Sequence, residues 1–310
     1  MRAVVTGGAG FIGSHLVDAL AARGDEVLAL DDLSKGRRAR VEAPFSETDI
    51  RDAAALAETV AAHRPDVILH LAAQADVRLS VADPAADAAV NVTGTINVLQ
   101  AARASSARVV FASTGGAIYG EDAVRPTPES AACEPEAPYG TAKLCAEEYV
   151  RLFNRLHGSR HAILRLGNVY GPRQDPSGEA GVVSIFAGRV VRGERPTVFG
   201  DGRQTRDYVY AGDVVRAFVA AADADRAGLW NVGTGREVSV VDLIDGLRRI
   251  SGSGIEPDFA PPRQGELQAS ALDPGALERD LGVAPAMPIE DGLRAVYDWV
   301  RAGEPVRGTL

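Results

Sequence analysis

The first 32 residues, MRAVVTGGAGFIGSHLVDALAARGDEVLALDD, constrain the chain more than any other stretch. Ala3 to Val5 form a short apolar run of the kind expected for a strand buried on both faces. The chain then turns through Gly7, Gly8, Ala9 and Gly10 and takes up helical spacing at Phe11, Ile12, Leu16, Val17 and Leu20. A second strand, Glu26 to Leu30, ends at Asp31 and Asp32. Gly7, Gly10 and Gly13 make a GxxGxxG pattern inside this βαβ unit. Such glycines let the backbone approach a pyrophosphate, while the helix N-terminus supplies N–H donors and a partial positive charge. A carboxylate at the end of the second strand, about 20 residues on, can accept hydrogen bonds from both ribose hydroxyls. Asp31 therefore favours NAD over NADP, because a 2′-phosphate would meet like charge; Lys35, Arg37 and Arg38 close by weaken that preference a little.

More strand-and-loop units follow. DVILHLAAQADV contains a strand at Val67 to Leu69 and a loop of small residues beginning at His70 and Ala72, suited to close contact with a cofactor. RVVFASTGGAIYG contains a strand at Val109 to Ala112 and a hydroxyl-bearing tip at Ser113 and Thr114. A third strand is expected before Asp49, and apolar helices separate the units, notably around Ala89 to Ala102. This alternation predicts an α/β chain with a doubly wound parallel sheet and ligands at the carboxyl ends of its strands. After Asn168 the pattern loosens into glycine- and proline-rich loops, short strands and C-terminal helices, as expected for a smaller lobe. The expected division is residues 1–167 plus about 205–235 for the dinucleotide domain, and 168–204 plus about 236–310 for the substrate-binding α/β lobe.

At 310 residues, with 46% apolar and 24% charged side chains, the chain can bury a sizeable core. A net charge of -9 and a pI near 5.2 make nucleic acid or an anionic membrane surface an unexpected partner. A few placed arginines and helix N-termini still suit an anionic small ligand. Cys133 and Cys145 form neither a CxxC pair nor a Cys/His cluster, and His15, His63, His157 and His161 show no metal-like grouping, so no metal is expected. With no uncharged apolar stretch of about 18 residues and no signal peptide, the expectation is a soluble cytoplasmic protein.

PYGTAK, residues 138 to 143, sets Tyr139 four places before Lys143 on a helix expected to start near Pro138, so both project from one face. Lys35 and Lys143 are the only lysines among 33 basic residues. Guanidinium is a fixed charge in a rigid fork, whereas ammonium is a compact point charge on a flexible stem. A lysine kept here suits a task that needs such a charge beside a phenol. An ammonium near a phenol stabilises phenolate and lowers a pKa that starts near ~10, making the tyrosine a usable base. Thr114, at a strand tip, is a candidate to hydrogen-bond the same substrate hydroxyl.

At this point the sequence resembles the extended short-chain dehydrogenase/reductase family, and within it the NAD-dependent nucleotide-sugar 4-epimerases of the UDP-glucose (UDP-galactose) type. The similarity rests on TGGAGFIGSHL, DDLSKGRR, HLAAQADV, STGGAIYG, YGTAK, RLGNVYGPRQDP, VFGDGRQTRDYVY and PPRQGEL, in that order and through nearly the whole chain. It implies a Rossmann-type fold. It implies a cofactor site drawn from Gly7, Gly10, Phe11, Ile12 and Gly13, from Asp31, Asp32 and Ser34, from Asp49 and Ile50, and from Leu71, Ala72 and Ala73. By the same resemblance Tyr139 is the catalytic base, and Lys143 holds the nicotinamide ribose while lowering the tyrosine pKa. Thr114 assists proton transfer, with Ser113 as the neighbouring alternative, and His70 matches a strand-end position near the cofactor.

For the substrate, Asn168, Arg206 and Arg263 match residues that hold the nucleotide diphosphate, a task suited to arginine because its fork binds two oxygens at once. Thr197 to Phe199 lie along the uracil, and Val182 is a further substrate contact. Ser270 falls where the family limits the sugar C2 substituent; a small side chain there admits an N-acetyl group. The implied reaction is 4-epimerisation of UDP-glucose or UDP-N-acetylglucosamine through a transient 4-keto sugar. The implied assembly is a homodimer joined through two helices of each subunit, including that of Tyr139. Asp175 stands where relatives acting on UDP-glucuronate often carry arginine, which argues against a carboxylate-bearing sugar unless Arg189 or Arg192 compensates. A nucleotide-sugar dehydratase or decarboxylase is the enzymatic rival, but Gly115 and Gly116 follow Thr114 where dehydratases place acids, and Glu121 comes late. A regulatory NAD-sensing binding protein is the rival from another class; intact Thr114, Tyr139 and Lys143 count against it. Asp213 reads as a helix cap, and Asn231 to Gly235 as a structural return strand.

Overall fold

Strands that are apolar on both faces need cover on both faces, and the alternating helices supply it. The computed structural model describes residues 1–175, 181–262 and 267–303. Strands β1 (Arg2–Thr6), β2 (Glu26–Asp31), β3 (Phe45–Glu47), β4 (Val67–His70), β5 (Arg108–Thr114) and β6 (Ala162–Leu166) alternate with helices α1 (Phe11–Ala22), α2 (Ala53–His63), α3 (Val77–Ala82), α4 (Pro84–Ala88), α5 (Thr95–Ala104) and α6 (Pro138–His157). Shorter strands β7 (Asn168–Tyr170), β8 (Thr197–Phe199), β9 (Thr205–Arg206) and β10 (Tyr208–Tyr210), with helices α7 (Val182–Val191) and α8 (Ala211–Asp223), lead to β11 (Gly228–Val232). Beyond it come β12 (Val238–Ser239), α9 (Val240–Ser251), β13 (Asp258–Ala260), α10 (Gly275–Leu281) and α11 (Ile289–Arg301).

The main sheet runs β11-β6-β5-β4-β1-β2-β3, with every neighbouring pair parallel. This is the doubly wound α/β architecture that the sequence predicts. Strand order reverses between β1 and β4, the switch point at which such sheets open a crevice for ligands. One core, including Val5, Leu16, Leu164 and Phe218, lies under α1 and α8; the other, including Val4, Ile68, Phe111 and Val150, lies under α2, α5 and α6. A third cluster, with Tyr170, Phe186, Leu243 and Trp299, ties α7, α9 and α11 together away from the sheet. Each large side chain so buried contributes roughly 1.5–3 kcal/mol.

Two local features position the site. Gly7 adopts φ +69°, and a Cβ there would lie 2.8 Å from Ala72 N. At Gly13 a Cβ would lie 2.0 Å from the Gly7 carbonyl oxygen, so α1 packs onto the turn with no room for a side chain. The helical run expected around Ala89 to Ala102 is interrupted by a π-helical segment, Ala89–Gly94, which joins α4 to α5. Just past its end Thr95 Oγ1 donates back to the Asn91 carbonyl at 2.7 Å, competing with the regular ladder, and Gly94 packs against Ile50. Asp213 does not cap α8, whose N-cap is Tyr210 at the end of β10. Its carboxylate instead receives the N–H groups of Ala286 and Met287, both at 3.1 Å, tying α8 to a distant loop. Asn231 belongs to β11, the strand that returns to the sheet edge beside β6.

Candidate active site

The β1–α1 turn presents the start of α1 at the switch point. Gly10 is the N-cap, no side chain caps the helix, and its first turn has no acidic residue. The opening N–H groups of a helix lack intrahelical partners and are thus available to an anion. Asp31 is buried and held by the backbone: Ala9 N–H donates to Oδ2 at 3.0 Å and Leu33 N–H to Oδ1 at 2.8 Å. Burial pushes its pKa up, against the pull of those bonds. Leu71 N–H donates to the Thr6 carbonyl at 3.1 Å, and Ala72 N–H to Thr6 Oγ1 at 3.3 Å, drawing the loop that ends with Ala73 across Gly7. The glycine cradle, the uncapped helix start and the oriented acid fit a dinucleotide.

Around that cradle, Phe11 and Ile12 open α1 and are partly buried. Asp32 is exposed and accepts from the Ser34 hydroxyl at 2.6 Å and from its N–H at 3.0 Å, which commits the Ser34 side chain to the loop. Asp49 is clasped by Arg51 at 2.6 Å, which holds its carboxyl below the usual range. Ile50, beside it, is buried. His70 is enclosed, with Nδ1 2.7 Å from Thr6 Oγ1 and Nε2 3.1 Å from Thr95 Oγ1. Burial, helped by the Lys143 charge, pushes its pKa down to about 3, so it serves as a neutral brace joining β1, β4 and α5.

Tyr139 and Lys143 share the first turns of α6, and Tyr139 N–H donates to Ser80 Oγ at 3.1 Å. The two hydroxyls left open by the sequence part company here. Thr114 is hydrogen-bonded to the Tyr139 phenol, whereas Ser113 Oγ donates to Glu147 Oε1 at 2.6 Å. Lys143 is only 2% exposed; its Nζ donates to the Ala112 carbonyl at 3.0 Å and lies 4.8 Å from the Phe111 ring centroid. Burial pulls its pKa down to about 8, opposed by Asp87 and Glu147. The phenol does not have the lowered pKa that the sequence predicts. Burial first, then the Asp87 charge, push it up to about 12, opposed by the Thr114 bond. The ammonium itself is engaged with the Ala112 carbonyl and the Phe111 ring.

Thr114 and Tyr139 open onto a cavity of about 790 Å³. Asn168, Val182, Thr197, Phe199 and Arg206 line it from β7 to β9 and α7, and Gly116 and Ala117 line it beside Thr114. That volume is of the size that takes a small-molecule ligand. Ser270 lines a narrow space of about 10 Å³ with Gly115, Gly116 and Leu272, and Gly116 also lines the main cavity. Arg263 lies outside the described residues. Asp175 is exposed, 3.9 Å from Arg37, and is not on the described cavity wall. Nor are Arg189, which donates to the Arg195 carbonyl, and Arg192, paired with Glu194; the wall carries Arg78 instead. Glu121 accepts from Gln268 N–H at 2.8 Å.

Sequence reasoning missed the polar scaffold under this site. Arg165 and Glu147 form a fully buried ion pair at 2.6 Å, and Arg165 also donates to the Tyr119 hydroxyl at 2.8 Å, which donates to Asn231 at 2.9 Å. This chain braces β5, α6, β6 and β11 together. A signal was present: AILRL places one charge inside an otherwise apolar strand, and such a charge needs a buried partner.

Comparison with known proteins agrees with this geometry. Residues 3–233 match the NAD dependent epimerase/dehydratase family. The chain is 43% identical over 310 residues to a UDP-glucose 4-epimerase of Mycolicibacterium smegmatis, covering 97% of this chain and 99% of that one. Among solved structures it is similar to the UDP-glucose 4-epimerase of Thermotoga maritima with UDP-glucose, with a TM-score of 0.96 and 44% identity over 98% of this chain and 99% of that one. It is also similar to the Thermus thermophilus UDP-glucose 4-epimerase in complex with NAD, with a TM-score of 0.91 and 42% identity over 97% and 99% of the two chains. A match through most of its length and relatives this close end to end mean that the chain belongs to the NAD dependent epimerase/dehydratase family.

Proposed function

We propose that this protein is an NAD-dependent UDP-sugar 4-epimerase. The observation that carries the reading is one cavity with the Thr114 and Tyr139 hydroxyls on one wall and Asn168, Thr197, Phe199 and Arg206 on another, beside a glycine cradle fit for a dinucleotide. When bound, NAD supplies reversible hydride acceptance, which lets C4 of a sugar pass through a ketone and back.

The chain's own residues do the rest. Tyr139 Oη takes the proton of the sugar C4 hydroxyl and returns it, with Thr114 Oγ1 holding that hydroxyl in line. A phenol pushed up to about 12 is a poor base at neutral pH. Activation therefore waits on Lys143 Nζ, whose flexible stem allows it to leave the Ala112 carbonyl and share its charge with the cofactor ribose and the phenol. Asn168 and Arg206 anchor the diphosphate, and Thr197 and Phe199 flank the base. Gly116 and Ala117 leave the sugar end small-walled, so the nucleotide is held firmly and the sugar loosely, as presenting both faces of C4 requires.

The two-lobe division remains our reading, supported by the separate apolar cluster of α7, α9 and α11. The burial of Leu277 with the sheet core supports reading α10 with the first lobe. We also read the protein as a cytoplasmic homodimer. An apolar groove bordered by Pro84, Val92, Pro138 and Ala142 suits the pairing of α6 and the α4–π-helical stretch with a second copy, which sedimentation tests. The decisive experiment is proton NMR of purified protein with UDP-glucose, UDP-N-acetylglucosamine or UDP-glucuronate in turn, following the anomeric signals without added reductant. Appearance of the 4-epimer is expected and names the sugar. No epimer from any of them, in protein shown to contain NAD, overturns the proposal in favour of a dehydratase or a binding role.

A further inference from the structure

Asp207 lies between β9 and β10 and has no part in the mechanism above. It is 1% exposed, and its carboxylate is filled with hydrogen bonds. Thr234 gives Oδ1 its N–H at 2.8 Å and its hydroxyl at 2.7 Å. Gly235 N–H and Leu272 N–H each reach Oδ2 at 3.0 Å. All of these donors are neutral, three backbone amides and a hydroxyl, so the buried carboxylate depends on every one of them. The socket has no slack. A Cβ on Gly233 would lie 2.5 Å from Asp207 Oδ2, and one on Gly167 would lie 2.9 Å from the Asp207 carbonyl oxygen.

The segments gathered here carry the two walls of the site. Arg206 and Tyr208, on either side of Asp207, line the main cavity, and so does Asn168, whose N–H donates to the Asp207 carbonyl at 2.7 Å. Thr234 and Gly235 follow β11, the edge strand of the main sheet. Leu272 reaches the end of β5: a Cβ on Gly115, the residue after Thr114, would run into the Leu272 side chain. Gly115 N–H donates to the Leu166 carbonyl on β6 at 2.7 Å. Thr127 N–H donates to the Ala271 carbonyl at 2.8 Å, and Asp273 N–H to the Thr127 carbonyl at 2.9 Å, which leaves the Leu272 N–H for Asp207.

We infer that Asp207 is a positioning residue that sets the span between the nucleotide anchors, Asn168 and Arg206, and the reacting hydroxyls beside Gly115. The inference rests on the roles proposed for those residues. In Asp207→Asn one oxygen becomes an amide nitrogen that donates, so the donors facing it lose their acceptor. The anchors themselves remain, and the nucleotide still binds. What changes is where it sits relative to Thr114 and Tyr139, and a misplacement of ~1 Å costs on the order of 10²-fold in rate. A residue that served binding would instead raise KM. One that served stability alone would lower the melting temperature and leave both constants of the folded enzyme unmoved.

The test compares Asp207→Asn with the wild type, both with NAD bound, by steady-state kinetics, by calorimetry with UDP and by backbone amide exchange followed by NMR. The kcat is expected to fall on the order of 10²-fold, with KM and UDP affinity kept within about threefold. The Gly115 amide, bonded to Leu166 rather than to the carboxylate, is expected to exchange about tenfold faster or more, while amides of α2 keep their wild-type rates. An unchanged kcat, or a Gly115 amide as slow as in the wild type, overturns the inference. Should Asp207→Asn not fold, Thr234→Val removes one donor and is expected to move kcat and Gly115 exchange in the same directions by a smaller factor; no movement of either there overturns the inference equally. If the wild type acts on no UDP-sugar, the reading of its function fails, whereas Gly115 exchange, which needs no substrate, still decides whether Asp207 holds the end of β5.

Discussion

Replacing Lys143 by arginine keeps the charge and loses the fit. The side chain is sealed between the Ala112 carbonyl and the Phe111 ring, and a planar fork is longer and wider than an ammonium. Overpacking of this kind costs ~1–3 kcal/mol, while the loss of a positioned proton-transfer partner costs on the order of 10²-fold or more in rate. Lys143→Arg is therefore expected to fold, to melt a few degrees lower and to lose most of its turnover. Kinetics at fixed pH beside a thermal melt checks it, and near-normal kcat refutes it. The Tyr139–Lys143 pair was readable from spacing alone because i, i+4 positions share a helix face. The division of labour between Ser113 and Thr114 was not: it is set by Glu147 and Tyr139, two partners far along the chain on α6, and nothing local says which hydroxyl meets which. Asp207 was equally silent, because its donors lie 27 to 65 residues further along the chain.

At the scale of elements, α6 serves two masters. One of its faces carries Tyr139 and Lys143 toward the site, and Glu147, one turn on, clamps the same helix to β5 through Ser113 and to β6 through Arg165. Glu147→Gln leaves a buried guanidinium short of its counter-charge, a change that costs about 3–5 kcal/mol. The expected outcome is a lower urea midpoint at unchanged slope, together with loss of activity as β5 and α6 drift apart. Unchanged stability would falsify the clamp. The glycine turn and the parallel strands could be read because runs of β-strand and helix carry their own period. The smaller lobe resisted for the converse reason, since β7 to β10 have two or three residues each, too few to show one. Gapless counting through its loops puts Ser270 at the sugar, and the chain carries it to a narrow space that Gly115 and Gly116 also line.

For the whole molecule, three buried histidines set an acid limit. Burial chiefly holds His15 and His161 at about 4 and His70 at about 3, against about 6.5 in an unfolded chain. A depressed folded pKa means that the unfolded state binds more protons below pH 6.5, so their contribution is complete above that value and is lost as pH falls toward 4. Denaturant midpoints measured across that window are expected to fall steadily on acidification. A flat profile between pH 6.5 and 4 contradicts the assignment of these rings as neutral braces.

The scarcity of lysine has a practical consequence for this fold. With Lys143 sealed in the interior, amine-directed chemistry finds one exposed lysine, Lys35, and a terminal amine tied to Asp25 at 2.8 Å. Lys35 lies on the loop after Asp31, at the edge of the dinucleotide cradle. An ordinary succinimidyl ester therefore finds one lysine, beside the cofactor groove, with the terminal amine as its competitor, and Lys35 offers a place for a dye that reports nucleotide binding without an engineered cysteine.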